Sequence, residues 1–168
     1  MSTPRLCPAG VTFRAQLDRK FPKRDRRSDG WIGDAAHSER FSWHNPDEDD
    51  VVWALDVDEN MGTPGLWRKG LACRRLADQL VQYAASGLPG SDRILHAVYE
   101  DQVVSGTYRK WWWIWRGSGY GHTIHLHITF RDGAGNDSLE FPLPILAKNW
   151  RQMRRWARAL KQALRPAA

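Results

Sequence analysis

Four short segments of this 168-residue chain hold side chains whose types and spacing could do chemistry. The run Ile124-His125-Leu126-His127-Ile128-Thr129-Phe130 alternates strictly, as a half-buried strand does. Ile124, Leu126, Ile128 and Phe130 are expected to face the core, and His125, His127 and Thr129 the other way. Two imidazoles two residues apart on one strand face lie roughly 6–7 Å apart at Cα, which suits a metal ligand with a proton donor beside it. His122 joins them from the preceding turn, so three of the six histidines fall within six residues. A second segment, Ser42-Trp43-His44-Asn45-Pro46, puts a histidine just before a tight turn. A third, the apolar run Val51–Asp58, carries Asp56 on the same strand face as Ala54 and Asp58, with Trp53, Leu55 and Val57 on the other. A carboxylate on an apolar strand is costly to bury unless paired or coordinated. His44, Asp56 and one histidine of the His-x-His strand would form the three-ligand set, with one open position, of a catalytic zinc.

The fourth segment is aromatic. The chain has ten tryptophans, and Trp111-Trp112-Trp113-Ile114-Trp115 alternates like a strand. Trp111, Trp113 and Trp115 share one expected face, Trp112 and Ile114 the other. One face packs the core and the other walls a groove suited to a glycan-peptide ligand. Trp115, next to the turn that precedes the histidines, is favoured for the groove.

The elements that must position these residues follow from periodicity. Phe13, Leu17 and Phe21 recur at spacings of four, giving a lead-in helix over Pro4–Phe21 that Pro22 stops. Lys23–Asp50 is rich in Gly, Asp, Ser, His and Arg and reads as a long irregular stretch. Leu66–Ser86 reads as the longest helix, with Leu66, Leu71, Leu76, Leu80 and Tyr83 as its apolar stripe. Strands are expected at Val51–Asp58, Ile94–Tyr99, Trp111–Trp115 and Ile124–Phe130. The sum is a small α+β domain with an antiparallel sheet and flanking helices, ending in an amphipathic helix. In that last helix Trp150, Met153, Ala157, Leu160 and Leu164 form the expected apolar stripe. Lys148, Arg151, Arg154, Arg155, Arg158, Lys161 and Arg165 lie opposite. It reads as a helix packed on the domain with a solvated basic face; adhesion to an anionic polymer or membrane surface is the second reading.

Charge follows the same division. The net charge is +6, yet residues 147–168 hold seven basic side chains and no acidic one, so residues 1–146 sum to about −1. That distribution argues against a nucleic-acid module, which would spread Lys and Arg over its reading face. Hydrophobic residues at 42% and charged residues at 26% exclude a disordered or fibrous chain. No apolar run approaches the ~18 residues that would span a bilayer, and the first twenty residues lack a signal-peptide core. Cys7 and Cys73 are too few for a disulfide framework and read as free thiols, with a single bridge as the alternative.

The segments Ser28–His37 (SDGWIGDAAH), Ser42–Asp47 (SWHNPD), Val52–Glu59 (VWALDVDE) and Gly121–Phe130 (GHTIHLHITF) together resemble the peptidase domain of mycobacteriophage-type endolysins. Those domains are similar to the lysostaphin and D-Ala-D-Ala metallopeptidase superfamily of zinc peptidoglycan peptidases. The resemblance covers roughly Arg14 to Arg131. It implies a Hedgehog/DD-peptidase-like fold over residues 1–146, with 147–168 as a basic helix packed on or appended to it. It makes His44, Asp56 and His127 the ligands of one zinc ion (Zn2+) per chain. It also makes His125 the catalytic histidine, with His122 lining the active site. Ser42 supports the first ligand. From residue chemistry alone, Arg40 reads first as an exposed polar loop residue and second as the holder of a substrate carboxylate, Tyr120 or His122 could donate to the oxyanion, and Trp115 packs the core or walls the groove.

The sequence departs from the family pattern at Trp43, where an aspartate is usual. It also has Ile124 in place of the glutamate that serves as base in the D,D-dipeptidase branch, which points to a histidine-assisted mechanism. The implied function is a metalloendopeptidase cutting peptide cross-links of bacterial peptidoglycan in phage-driven host lysis. The protein would be a monomer made in the host cytoplasm and released to the wall by a holin, with anionic envelope polymers as further partners of the helix. A tail-associated wall hydrolase and a D,D- or L,D-carboxypeptidase are alternatives within the same chemistry. A non-enzymatic nucleic-acid or wall-binding module is the alternative outside it.

Overall fold

The computed structural model describes residues 3–33, 41–62, 70–107, 111–117 and 122–165. Among these residues three helices, α1 (Pro8–Lys20), α2 (Leu71–Ala85) and α3 (Trp150–Ala163), accompany a five-stranded antiparallel sheet. Its strands are β3 (Ala54–Asp58), β4 (Ile94–Tyr99), β5 (Gln102–Ser105), β6 (Ile114–Trp115) and β7 (His125–Phe130). A short parallel pair, β1 (Arg5–Leu6) with β2 (Val51–Val52), stands apart from it. The protein is therefore mixed α+β, and the sheet is open, not a closed barrel.

The spatial order β3-β7-β4-β5-β6 puts the histidine strand between two partners. Register then fixes which side chains share a face, because directly opposed residues in an antiparallel pair point the same way. Leu55 opposes Ile128 and Val57 opposes Leu126, while Ala97 opposes both Ile128 and Val104. These residues are fully buried or nearly so, and they floor the core together with Phe13, Leu17, Leu76, Leu80, Tyr83 and Phe141. On the other face Asp56 opposes His127, Asp58 opposes His125, and Thr129 opposes Ala54 and His96.

Two sequence expectations shift at strand ends. The run Val51–Asp58 breaks at Trp53, whose indole N–H donates to Asp47 Oδ2 at 2.6 Å, so the strand proper begins at Ala54. Ile124 lies outside β7 and is 54% exposed instead of facing the core. The lead-in helix likewise begins at Pro8, with β1 preceding it. In α2, Leu76, Leu80 and Tyr83 are buried as expected, whereas Leu71 is 43% exposed at the first turn; Leu66 lies outside the described residues. Cys7 and Cys73 are buried free thiols, and burial pushes the Cys7 thiol up to about 11.

The irregular stretch after α1 is anchored where it is described. Asp25 N donates to Asn60 O, Asp58 N to Asp29 Oδ1, and Gly30 and Asp56 exchange both backbone hydrogen bonds. The chain from Asp25 to Gly30 thus lies along the outer edge of β3 and covers donors and acceptors that an edge strand would otherwise expose. Its tether is Arg24. This guanidinium, 3% exposed, makes a bidentate pair with Asp29 at 2.7 and 2.6 Å and reaches Asp18 Oδ1 on α1 at 2.9 Å. Gly62, at φ +62°, lets the chain pass Lys23, since a Cβ there would sit 2.1 Å from the Lys23 carbonyl oxygen.

The reciprocal clamp that joins the N-terminal helix to the far end of the chain is also buried. Gln16 Nε2 donates to Phe141 O at 3.1 Å, and Phe141 N donates back to Gln16 Oε1 at 2.7 Å. Phe13 packs edge-on against the Phe141 ring, with centroids 5.0 Å apart.

Replacing Arg24 with Met removes one partner of a buried ion pair and leaves Asp29 charged and unsolvated. Such losses cost about 3–5 kcal/mol. Urea unfolding of Arg24→Met is expected to show a drop of that order, with Asp29→Asn less damaging.

Candidate metal centre

His44, Asp56 and His127 converge on the face of the sheet turned away from the core. His127 Nδ1 lies 2.9 Å from Asp56 Oδ1, His44 Nε2 lies 3.4 Å from Asp56 Oδ2, and the two imidazole nitrogens are 3.2 Å apart. His44 and His127 are each 7% exposed. The ligand-capable atoms of this trio all lie within 4.8 Å of one another, close enough to bind a metal ion.

The outer contacts bear on where each ring carries its protons. His44 Nδ1 is 3.2 Å from the Trp31 carbonyl, which only accepts, so Nδ1 carries a proton, and Nε2 is a lone pair when the ring is neutral. His127 Nε2 is 2.9 Å from the Thr129 hydroxyl, and Thr129 Oγ1 is 3.0 Å from His96 Nε2. When His127 Nε2–H donates to Thr129 Oγ1 and Thr129 O–H to a neutral His96, His127 Nδ1 is bare; in the opposite tautomer Thr129 O–H donates to His127 Nε2 and His127 Nδ1–H donates to Asp56 Oδ1. The first state is the one a metal ion needs, and its nitrogen and oxygen donors are of the kinds zinc takes.

Titration follows the same contacts. Burial works against the Asp56 carboxylate, but bonds from His127 and His44 outweigh it and hold the group well below the usual carboxylate range. Burial pulls His44 down, yet the bond to Asp56 and its charge leave it raised. Burial lowers His127 and His125, with the attraction of Asp56 too weak to restore either. His96 falls to about 4, through burial and the positive charge of neighbouring His127, Arg116 and His122.

His125 and His122 stand beside the trio. His125 Nε2 is 3.7 Å from Asp56 Oδ1, and the His122 ring lies 4.9 Å from the His125 ring and 5.2 Å from that of His127. His122 takes φ +62° and its carbonyl accepts from Glu100 N, so the residue is held at the β4–β5 hairpin end against its backbone preference. Asp56, His122 and His125 form a second group of ligand-capable atoms within the same range.

The loop around His44 is built by its neighbours. Ser42 Oγ accepts from His44 N at 3.2 Å, and Gly33 N donates to His44 O at 2.8 Å. Asp47 caps the turn that follows, accepting from Asp49 N, Val51 N and the Trp53 indole. Asp58, on the same strand face as Asp56, is satisfied by Ser28 and Asn60 and stays outside the trio.

Of the residues expected from the sequence, the structure brings together His44, Asp56, His127, His125 and His122, with Ser42 behind the first. Arg40 and Tyr120 lie outside the described residues. Trp115 does not join them. It opposes Gln102, which opposes Tyr99, so register places it on the core-side face at the far edge of the sheet. There it is 66% exposed, and Ile114 takes the histidine-side face instead. The alternation expected through Trp111–Trp115 fails because Trp111 adopts φ +66°; Trp113 is held by Asp78 and lies under Arg74.

Sequence reasoning missed His96 and the role of Thr129. The signal was available: His96 is the one histidine in the otherwise apolar and aromatic run Ile94–Tyr99, and it sits at an even spacing from Ile94 and Val98. Comparison with protein-family models, curated proteins and solved structures gave no match.

Thr129→Val keeps shape and removes the hydroxyl that bonds His127 Nε2. Metal affinity measured by chelator competition is expected to fall roughly 10–100-fold with the fold intact. His96 also predicts a pH effect on the metal-free protein. Its pKa is below that of the unfolded chain, so the unfolded state binds the proton first and stability drains away as pH falls from about 6.5 toward 4. His96→Gln removes that loss, on the order of 3 kcal/mol across the window, so its unfolding free energy should gain on wild type as the solution is acidified.

Proposed function

We propose that this protein is a zinc metalloendopeptidase that hydrolyses peptide cross-links of bacterial peptidoglycan. One observation carries the reading: a ring nitrogen from each of His44 and His127 and the Asp56 carboxylate converge on the sheet face turned away from the core, with two further histidines beside them. The motif resemblance supplies the substrate class, and the antiparallel sheet with flanking helices is compatible with the Hedgehog/DD-peptidase-like fold it implies. In this reading the chain serves host lysis, is made in the host cytoplasm and reaches the wall after holin-type release.

His44 Nε2, Asp56 and His127 Nδ1 would hold the metal. A zinc ion bound there supplies a Lewis acid for the scissile carbonyl and a water acidified to near neutrality. The remaining work belongs to the protein. His125, its pKa lowered by burial, is neutral near pH 7 and accepts a proton at Nε2 from the attacking water, then returns it to the leaving amine. His122 presents its ring beside His125, where a ring N–H donates to the developing oxyanion. Thr129 and His96 hold the His127 ring in place, and Ser42 holds the His44 backbone.

The test is zinc content by elemental analysis alongside release of free amines from purified peptidoglycan. Wild type is expected to carry about one zinc per chain, and His44→Ala, Asp56→Ala and His127→Ala to lose both metal and activity. His125→Ala should keep the zinc and lose roughly 10²–10⁴ in rate. A folded wild type without metal overturns the reading, and so does a zinc-loaded protein that releases no amines from any wall type.

A further inference from the structure

The terminal helix is oriented differently from what its sequence suggests. Of the stripe Trp150, Met153, Ala157, Leu160 and Leu164, only Leu160 is buried; the helix docks through Trp156 and Leu160, 7% and 4% exposed, against the turn Pro144–Leu146. The other four face solvent, with Trp150 60%, Met153 45% and Leu164 40% exposed. On a helical projection they fall within an arc of roughly 60°. Lys161, Arg154, Arg165, Arg158, Arg151 and Arg155 continue from that arc over roughly the next 120°. All six are exposed, and no acidic residue occurs in α3. Arg151 and Arg154 lie 5.6 and 5.8 Å from the Trp150 ring centre.

We infer that this face of α3 binds the surface of an anionic phospholipid bilayer, lying in the headgroup plane. A polyanion in solution would be met by the arginines alone and gives no reason to expose Trp150, Met153 and Leu164 together. A neutral apolar partner gives no reason for six cations. An anionic lipid surface satisfies both, since the acyl boundary takes the apolar stripe and the phosphates take the flanking charges. Tryptophan is suited to that depth, its indole body apolar and its N–H wet. No helix among the described residues is long and apolar enough to cross a membrane, so the mode is adsorption. The helix is fixed for this by its other side: Asn149 caps it through Gln152 N, Gln152 reaches back to Lys148 N, and Trp156 and Leu160 lock its rotation. The inference is independent of the metal centre, which occupies the sheet.

Flotation of the full chain with phosphatidylglycerol–phosphatidylcholine vesicles and with pure phosphatidylcholine vesicles tests it. The protein is expected to float with the anionic vesicles only. Arg154→Ser with Arg158→Ser should lower partitioning roughly tenfold or more. Met153→Asp with Leu164→Asp, both on the exposed side, should do the same while leaving circular dichroism and zinc content unchanged. His127→Ala should float like wild type, which separates this inference from the catalytic one. Absent flotation, equal binding to neutral vesicles, or binding untouched by Met153→Asp/Leu164→Asp and matched by soluble polyphosphate would each overturn it; the last would mark a polyanion surface.

Discussion

Two imidazole nitrogens and the Asp56 carboxylate lie within about 3.5 Å of one another in a nearly buried site, a set that needs a shared proton or a bound cation between its members. Much of the surrounding structure serves to hold it. The β3–β7 register sets Asp56 opposite His127, and the Trp31 carbonyl and Thr129 hydroxyl occupy the ring nitrogens that would otherwise turn inward. A slip of one residue in that register would send the whole set into the core. Register is in turn enforced by the apolar face, where Leu55, Val57, Leu126 and Ile128 leave no room for an alternative.

The centre sits beside a sheet edge, which creates a second requirement. β3 is the outermost strand, and a functional edge must be covered without being closed. The segment around Asp25–Gly30 does this with a single two-residue bridge to Asp56 and side-chain contacts to Asp58, tied down by a buried arginine. A full additional strand would have covered the edge as well, but with a regular ladder that leaves no loop to carry Trp31 across to His44. The irregularity of this stretch follows from that double duty, and its density of Asp, Arg and Ser supplies the hydrogen bonds a ladder would have made.

The grouping of Asp56 with His127 was legible in the sequence because strand alternation is a local property. The face shared by His125, His127 and Thr129, and the oddity of Asp56 in an apolar strand, are visible within seven residues. His96 was harder, since its part depends on β4 lying beside β7, a pairing separated by about thirty positions in the chain. The tryptophan run misled for a different reason. Its alternation is regular on paper, but a single left-handed residue at Trp111 resets the phase, and nothing in a run of identical residues signals where such a reset falls.

The helix α3 was misread through the same kind of gap. Hydrophobic periodicity finds the most apolar arc of a helix and assigns it to the core, which holds when burial is the only demand on apolar residues. Here the helix meets the domain at the turn Pro144–Leu146, and Trp156 with Leu160 is the side it buries. With Trp156 and Leu160 turned inward, the arc through Trp150 and Leu164 faces out. A helix that turns its more apolar arc to solvent, with a cationic flank interrupted only by Gln162 beside it, has the surface that the proposed lipid contact calls for.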